Sequence, residues 1–109
     1  MKRHCFALDL IDDDKLIAEY KEYHTAVWPE IVDSIKSAGV EELEIYLFGN
    51  RLFMIMEVNE AFSFEAKTKS DLENGKVQEW EKLMWNYQKA MPGAKPGEKW
   101  MRMEHIFKL

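Results

Sequence analysis

A single cysteine among 109 residues can close no disulfide within the chain and cannot by itself build a thiolate metal site. That usage suits a reducing compartment and predicts the cytoplasm. Three prolines and five glycines are too few for a collagen-like or low-complexity chain, while 47% hydrophobic residues can furnish a core. No apolar run approaches the ~20 residues a membrane span needs, and Met1-Lys2-Arg3-His4 lacks the apolar stretch of a secretory signal. Basic side chains are outnumbered, fifteen against twenty acidic, and the net charge of -5 leaves no cationic field for phosphate backbones or anionic lipid. Neither nucleic acid nor a membrane is therefore expected as a partner. The length is that of one domain, residues 1–109. What the chain carries in excess is large soft surface: four Trp, four Tyr, six Phe and seven Met. The methionines read as filler for irregular core gaps.

The apolar stretch Cys5 to Ile11 reads as a strand, and Asp12-Asp13-Asp14 after it as a helix N-terminus, where carboxylates accept free N–H groups and meet the positive end of the macrodipole. From Leu16 to Ile35 apolar residues recur at three and four, the helical period. Pro29 interrupts it, so the spacing predicts one helix near Asp13 to Ala26 and a second from Pro29 to Ser37, closed by Gly39. Glu42 to Phe48 and Arg51 to Val58 alternate with period two around Gly49-Asn50, a hairpin. A weak polar helix is expected over Ser63 to Asn74 and a stronger one over Val77 to Ala90. A last strand is expected over Trp100 to Leu109.

This order, βαββαβ, is that of a ferredoxin-like α+β domain with its helices on one face of the sheet. Both faces of the hairpin carry apolar groups, however, and no chain remains to cover the second. A second copy packed on the open sheet face, giving a homodimeric α/β barrel, is the expected solution. Met54 and Met56, with Met101 and Met103, are assigned to the sheet core and this dimer packing.

Tyr20 and His24 stand four apart, which places both on one face of the first helix within reach of one ligand. Histidine is the side chain best suited to exchanging protons near neutral pH. The spacing alone fits equally a half-exposed histidine with no role. Trp28, Trp80, Trp85 and Trp100 could line a pocket, since an indole offers an apolar plate and an edge N–H donor, or could be core. Cys5 is expected to be buried and inert. His4 and His105 could pair across the sheet, but three histidines without ligand-spaced Cys or carboxylates argue against a metal. No phosphate-binding loop, dinucleotide fingerprint or nucleophile motif occurs, and no cofactor is expected.

The segment Glu19-Tyr20-Lys21-Glu22-Tyr23-His24-Thr25-Ala26-Val27-Trp28-Pro29-Glu30-Ile31 resembles the E-Y-x-x-x-H-x-x-x-W-P-E-[LI] signature of the L-rhamnose mutarotases. Ile45-Tyr46-Leu47, Leu52-Phe53, Val77-Gln78-Glu79-Trp80 and Met91-Pro92 extend the likeness over the whole domain. The resemblance implies a dimer of ferredoxin-like domains that interconverts the α and β anomers of a small neutral 6-deoxy-L-hexose without metal or cofactor. It implies His24 as the proton donor and Tyr20 as a sugar contact, with Trp28, Tyr46, Trp80 and Trp85 as further substrate-binding candidates. Leu43 stands where the family has a sugar-contacting tyrosine, and the family's paired tryptophans appear as Trp80-Glu81, with Trp85 a turn later. Leu83-Met84-Trp85 and Lys95-Pro96-Gly97-Glu98-Lys99-Trp100 resemble the family's L-fucose-directed branch. Two alternatives on the same topology are a monooxygenase-type enzyme and a non-catalytic ligand-binding module.

Overall fold

The computed structural model describes residues 1–109. The chain runs β1 (Lys2–Leu10), α1 (Asp14–Tyr23), α2 (Pro29–Ser37), β2 (Val40–Phe48), β3 (Arg51–Val58), α3 (Phe64–Glu73), α4 (Gly75–Met84), β4 (Gln88–Lys89) and β5 (Met101–Arg102). The sheet order is β2-β3-β1-β4, antiparallel throughout, with β5 on the same edge of β1 as the last strand of a ferredoxin-like domain. Each crossover is a pair of helices and the sixth element is split in two.

Local chemistry sets the boundaries. Asp13 caps α1, its Oδ1 accepting the Leu16 N–H at 2.9 Å. The helix stops at Tyr23, three residues short of the expected end. Two side chains take its last carbonyls, His24 Nδ1 that of Tyr20 and Thr25 Oγ1 that of Glu22. Trp28, held extended by the proline after it, then lets Pro29 open α2. Gly39 turns the chain into β2 at φ +101°. Ser63 caps α3, and Asn74 both ends α3 and caps α4 through Oδ1.

Alternate residues of β1 and β3 bury one face: Phe6, Leu8 and Leu10 with Leu52, Met54, Met56 and Val58. One core cluster joins Leu10 and Leu52 to Tyr20, Ile31, Val77, Trp80, Met84 and Tyr87. The other gathers Phe6, Val40, Met54, Met56 and Val58, and Trp100 packs against both. Cys5 is half-buried on the opposite face rather than in the core.

Two expected elements come out differently. The helix expected to reach Ala90 ends at Met84, because Tyr87 O accepts from Ile11 N and Gln88–Lys89 pair with Leu10 and Asp9. The free edge of β1 claims those residues over their helical spacing. The expected strand Trp100–Leu109 shrinks to Met101–Arg102, followed by one bond from Met103 N–H to Cys5 O. Alternation marks a segment able to form a strand, but Glu104–Leu109 meets no partner edge, and Ile106, Phe107 and Leu109 are exposed. His105 lies in that segment, so it does not pair with His4, whose ring instead packs edge-on against Phe64.

Candidate active site

The end of α1, the break before α2 and the middle of α4 converge on one aromatic group. Tyr20 and His24 share a helix face with ring centroids 4.4 Å apart, and Trp80 reaches His24 from α4 at 5.7 Å. Trp28 meets Trp80 edge-on at 5.1 Å, and Tyr23 lies 6.4 Å from Trp80 and 5.8 Å from Tyr87. Tyr20 and Trp80 are buried, while His24, Tyr23 and Trp28 are half-buried and form the exposed side of the group.

The imidazole has a defined polarity. His24 Nδ1 lies 2.8 Å from the Tyr20 carbonyl oxygen. A carbonyl can only accept, so Nδ1 carries the hydrogen and Nε2 is the nitrogen left for a ligand. The Tyr20 ring lies against that imidazole, its Oη 3.5 Å from Gln88 Nε2. Burial pushes the Tyr20 phenol above its ordinary range, a hydrogen bond from Gln88 opposing it in part. Tyr87 is raised too, by burial first and then by the Glu19 carboxylate that its hydroxyl faces at 3.5 Å. Both phenols are thereby held neutral, as hydroxyl donors rather than phenolate bases.

Of the candidate residues, His24, Tyr20, Trp28 and Trp80 are brought together. Trp85 is not: five residues after Trp80 it points about 140° around the helix axis, and it lies at the end of α4, 36% exposed, beneath the Lys99 ammonium 4.8 Å from its ring centre. Lys99 donates to the Glu81 carbonyl at 2.7 Å, and burial lowers its pKa. Tyr46 is not brought in either. It pairs with Phe53 on the sheet face away from the helices, 53% exposed, with its hydroxyl on Glu44. Leu43, three residues earlier, stands on the helix-covered face against the second core cluster. Two polar groups were missing from the expected set, Tyr87 as a hydroxyl and Gln88, since both read as interior positions of a longer helix. Two open clefts lie elsewhere, one of about 500 Å³ beside His4, Phe64 and Arg102 and one of about 550 Å³ between α2 and α3.

Comparison with known proteins bears on this cluster. The family model described as L-rhamnose mutarotase matches residues 3–109. An L-fucose mutarotase of Xanthomonas campestris pv. campestris is 49% identical over 111 residues, covering 100% of this chain and 89% of that protein. An L-rhamnose mutarotase of Shigella flexneri is 32% identical over 80 residues, covering 72% of this chain and 73% of that protein. Among solved structures, an L-rhamnose mutarotase from Formosa agariphila superposes with a TM-score of 0.74 at 25% identity, covering 100% of this chain and 99% of that one. The tetracenomycin F2 cyclase of Streptomyces glaucescens, at 14% identity and a TM-score of 0.64 with 100% and 97% coverage, shares the fold alone. With a family model spanning nearly the whole chain and a full-length relative at 49% identity, this protein belongs to the L-rhamnose mutarotase family.

Proposed function

We propose that this protein interconverts the α and β anomers of a 6-deoxy-L-hexose, with L-fucose the preferred sugar and His24 the acid-base group. The observation that carries it is the pinned imidazole: Nδ1 is committed to the Tyr20 carbonyl, so Nε2 is the one nitrogen free to exchange a proton. Protonated at Nε2, His24 gives its proton to the ring oxygen as the C1–O5 bond breaks, while the anomeric hydroxyl gives its proton to solvent water. The aldehyde turns about C1–C2 and the O5 hydroxyl closes the ring on its other face, returning its proton to Nε2 while water gives one to the new anomeric oxygen. A positioned acid-base group of this kind contributes about 10²–10⁴-fold. Tyr20 would hold a sugar hydroxyl, and Trp28 and Trp80 would present apolar plates to its C–H groups. The choice of L-fucose rests on the 49% identity to an L-fucose mutarotase. Saturation-transfer NMR on L-fucose and L-rhamnose tests the reading, since exchange faster than the buffer rate supports it and none on either sugar overturns it. The oxygenase and binding-module alternatives have no observation of their own in their favour.

The same reading includes a homodimer formed through the open sheet face, in a reducing cytoplasm. Across that face, Tyr46, Phe53 and Ala7 line up beside Ile55 and Cys5, and the Arg51–Asp9 and Arg3–Glu57 ion pairs flank them. An apolar centre with a charged rim is the composition of a protein interface. Sedimentation should give a dimer for the parent and a monomer for Phe53→Glu, whereas a monomeric parent contradicts the dimer.

A further inference from the structure

Gln88 is the one buried polar side chain of the core, 7% exposed, and its Oε1 has no hydrogen-bond partner. It stands opposite Leu10 in the β1–β4 register and thus on the helix-covered face. There its Nε2 lies 3.5 Å from Tyr20 Oη, and the Tyr20 ring in turn lies 4.4 Å from His24. Turning the amide over would exchange its oxygen and nitrogen, but one end would still face Tyr20 and the other would still be unpaired. Packing does not account for this, because methionine has nearly the same length and would fill the place without burying an unpaired polar atom.

We propose that Gln88 is a substrate-binding residue of the His24 site, the free end of its amide hydrogen-bonding one hydroxyl of the sugar and so choosing between diastereomeric 6-deoxyhexoses. The proposal rests on the mutarotase reading and deepens it by assigning specificity. L-Fucose and L-rhamnose differ in the orientation of the hydroxyls at C2 and C4. A buried polar group in a fixed place is paired by one diastereomer and left unpaired by the other, which is a strong discrimination between sugars of equal size. Oε1 is sealed from solvent in the free protein, so a sugar reaches it only when the side chains that cover it move.

The test pairs kinetics with a binding signal. Gln88→Met and the parent are compared by anomer exchange on L-fucose and L-rhamnose. The side-chain amide resonance of Gln88 is followed in the parent during titration with each sugar. The expected result is a KM for the preferred sugar raised at least about tenfold in Gln88→Met, kcat much less affected, and the preference between the sugars reduced by a similar factor. In the parent, the Gln88 resonance should move with the preferred sugar. A folded Gln88→Met whose KM and preference stay within twofold of the parent overturns the proposal, and so does a Gln88 resonance that stays still at sugar saturation. The resonance decides the matter if Gln88→Met does not fold. Anomer exchange with an unmoved Gln88 signal leaves the mutarotase reading standing and removes Gln88 from the site. A moved signal without exchange does the reverse.

Discussion

Replacing Trp80 by alanine tests whether the aromatic group around His24 is part of the core. Trp80 is 9% exposed and belongs to the cluster that includes Leu10, Ile31, Leu52 and Met84. A tryptophan buries 150–250 Å², worth about 4–6 kcal/mol at ~25 cal/mol per Å². Truncations of this kind in protein cores cost about 3–5 kcal/mol once partial collapse is counted. Its edge-on contacts to His24, Trp28 and Tyr23 restrict that collapse, since Tyr23 and His24 are fixed at the end of α1 and Trp28 at the start of α2. About 4 kcal/mol is therefore expected, a large share of the roughly 5–15 kcal/mol available to a domain of this size. Urea unfolding followed by circular dichroism should show a much lower midpoint with an unchanged slope. A loss under about 1.5 kcal/mol would refute the reasoning and mark Trp80 as a pocket wall with little structural duty. Trp80→Phe, which keeps most of the apolar area, should fold well while slowing anomer exchange.

Gly39→Ala should destabilise by about 2–3 kcal/mol, from the left-handed conformation and from a disturbed hydrogen bond. The new Cβ would lie 2.6 Å from Asn59 Oδ1, which accepts the Ala61 N–H. Gly49→Ala, at φ +61° with nothing within 4 Å, should cost only about 1 kcal/mol, and equal midpoints for the two variants would contradict the account. His4 has a lowered pKa through burial, with Arg102 and Lys2 adding to it. The unfolded chain therefore takes up the proton first, and stability present above pH 6.5 should be lost as pH falls through the lower folded value. His4→Gln should flatten the thermal-stability profile over that window, and an unchanged profile would show that another group governs it.

Much of this arrangement is legible in the sequence, and the exceptions share a cause. The β2–β3 hairpin and α2 match their expected bounds closely because Gly49-Asn50, Pro29 and Gly39 punctuate them within the local chain. The end of α4 and the last strand depend on the distant edge of β1, which no local pattern reveals. Within the site, the four-residue spacing of Tyr20 and His24 placed them together, and the shared face is what the helix delivers. Tyr46 illustrates the limit of a period-two pattern. With apolar residues on both faces of β2, alternation says which residues share a side but not which side the helices cover. Gln88 was invisible for a related reason, since a glutamine four residues beyond the end of a helix carries no mark of burial until β1 pairs with it.

In the proposed reaction His24, with Nδ1 bonded to the Tyr20 carbonyl, passes a proton through Nε2 to a sugar ring. Saturation-transfer NMR of L-fucose anomers, run on the parent and on His24→Ala at matched protein concentration, reads that proton transfer. Fast exchange is expected with the parent, and exchange at the buffer rate with a folded His24→Ala. Parent-like exchange by His24→Ala would contradict it.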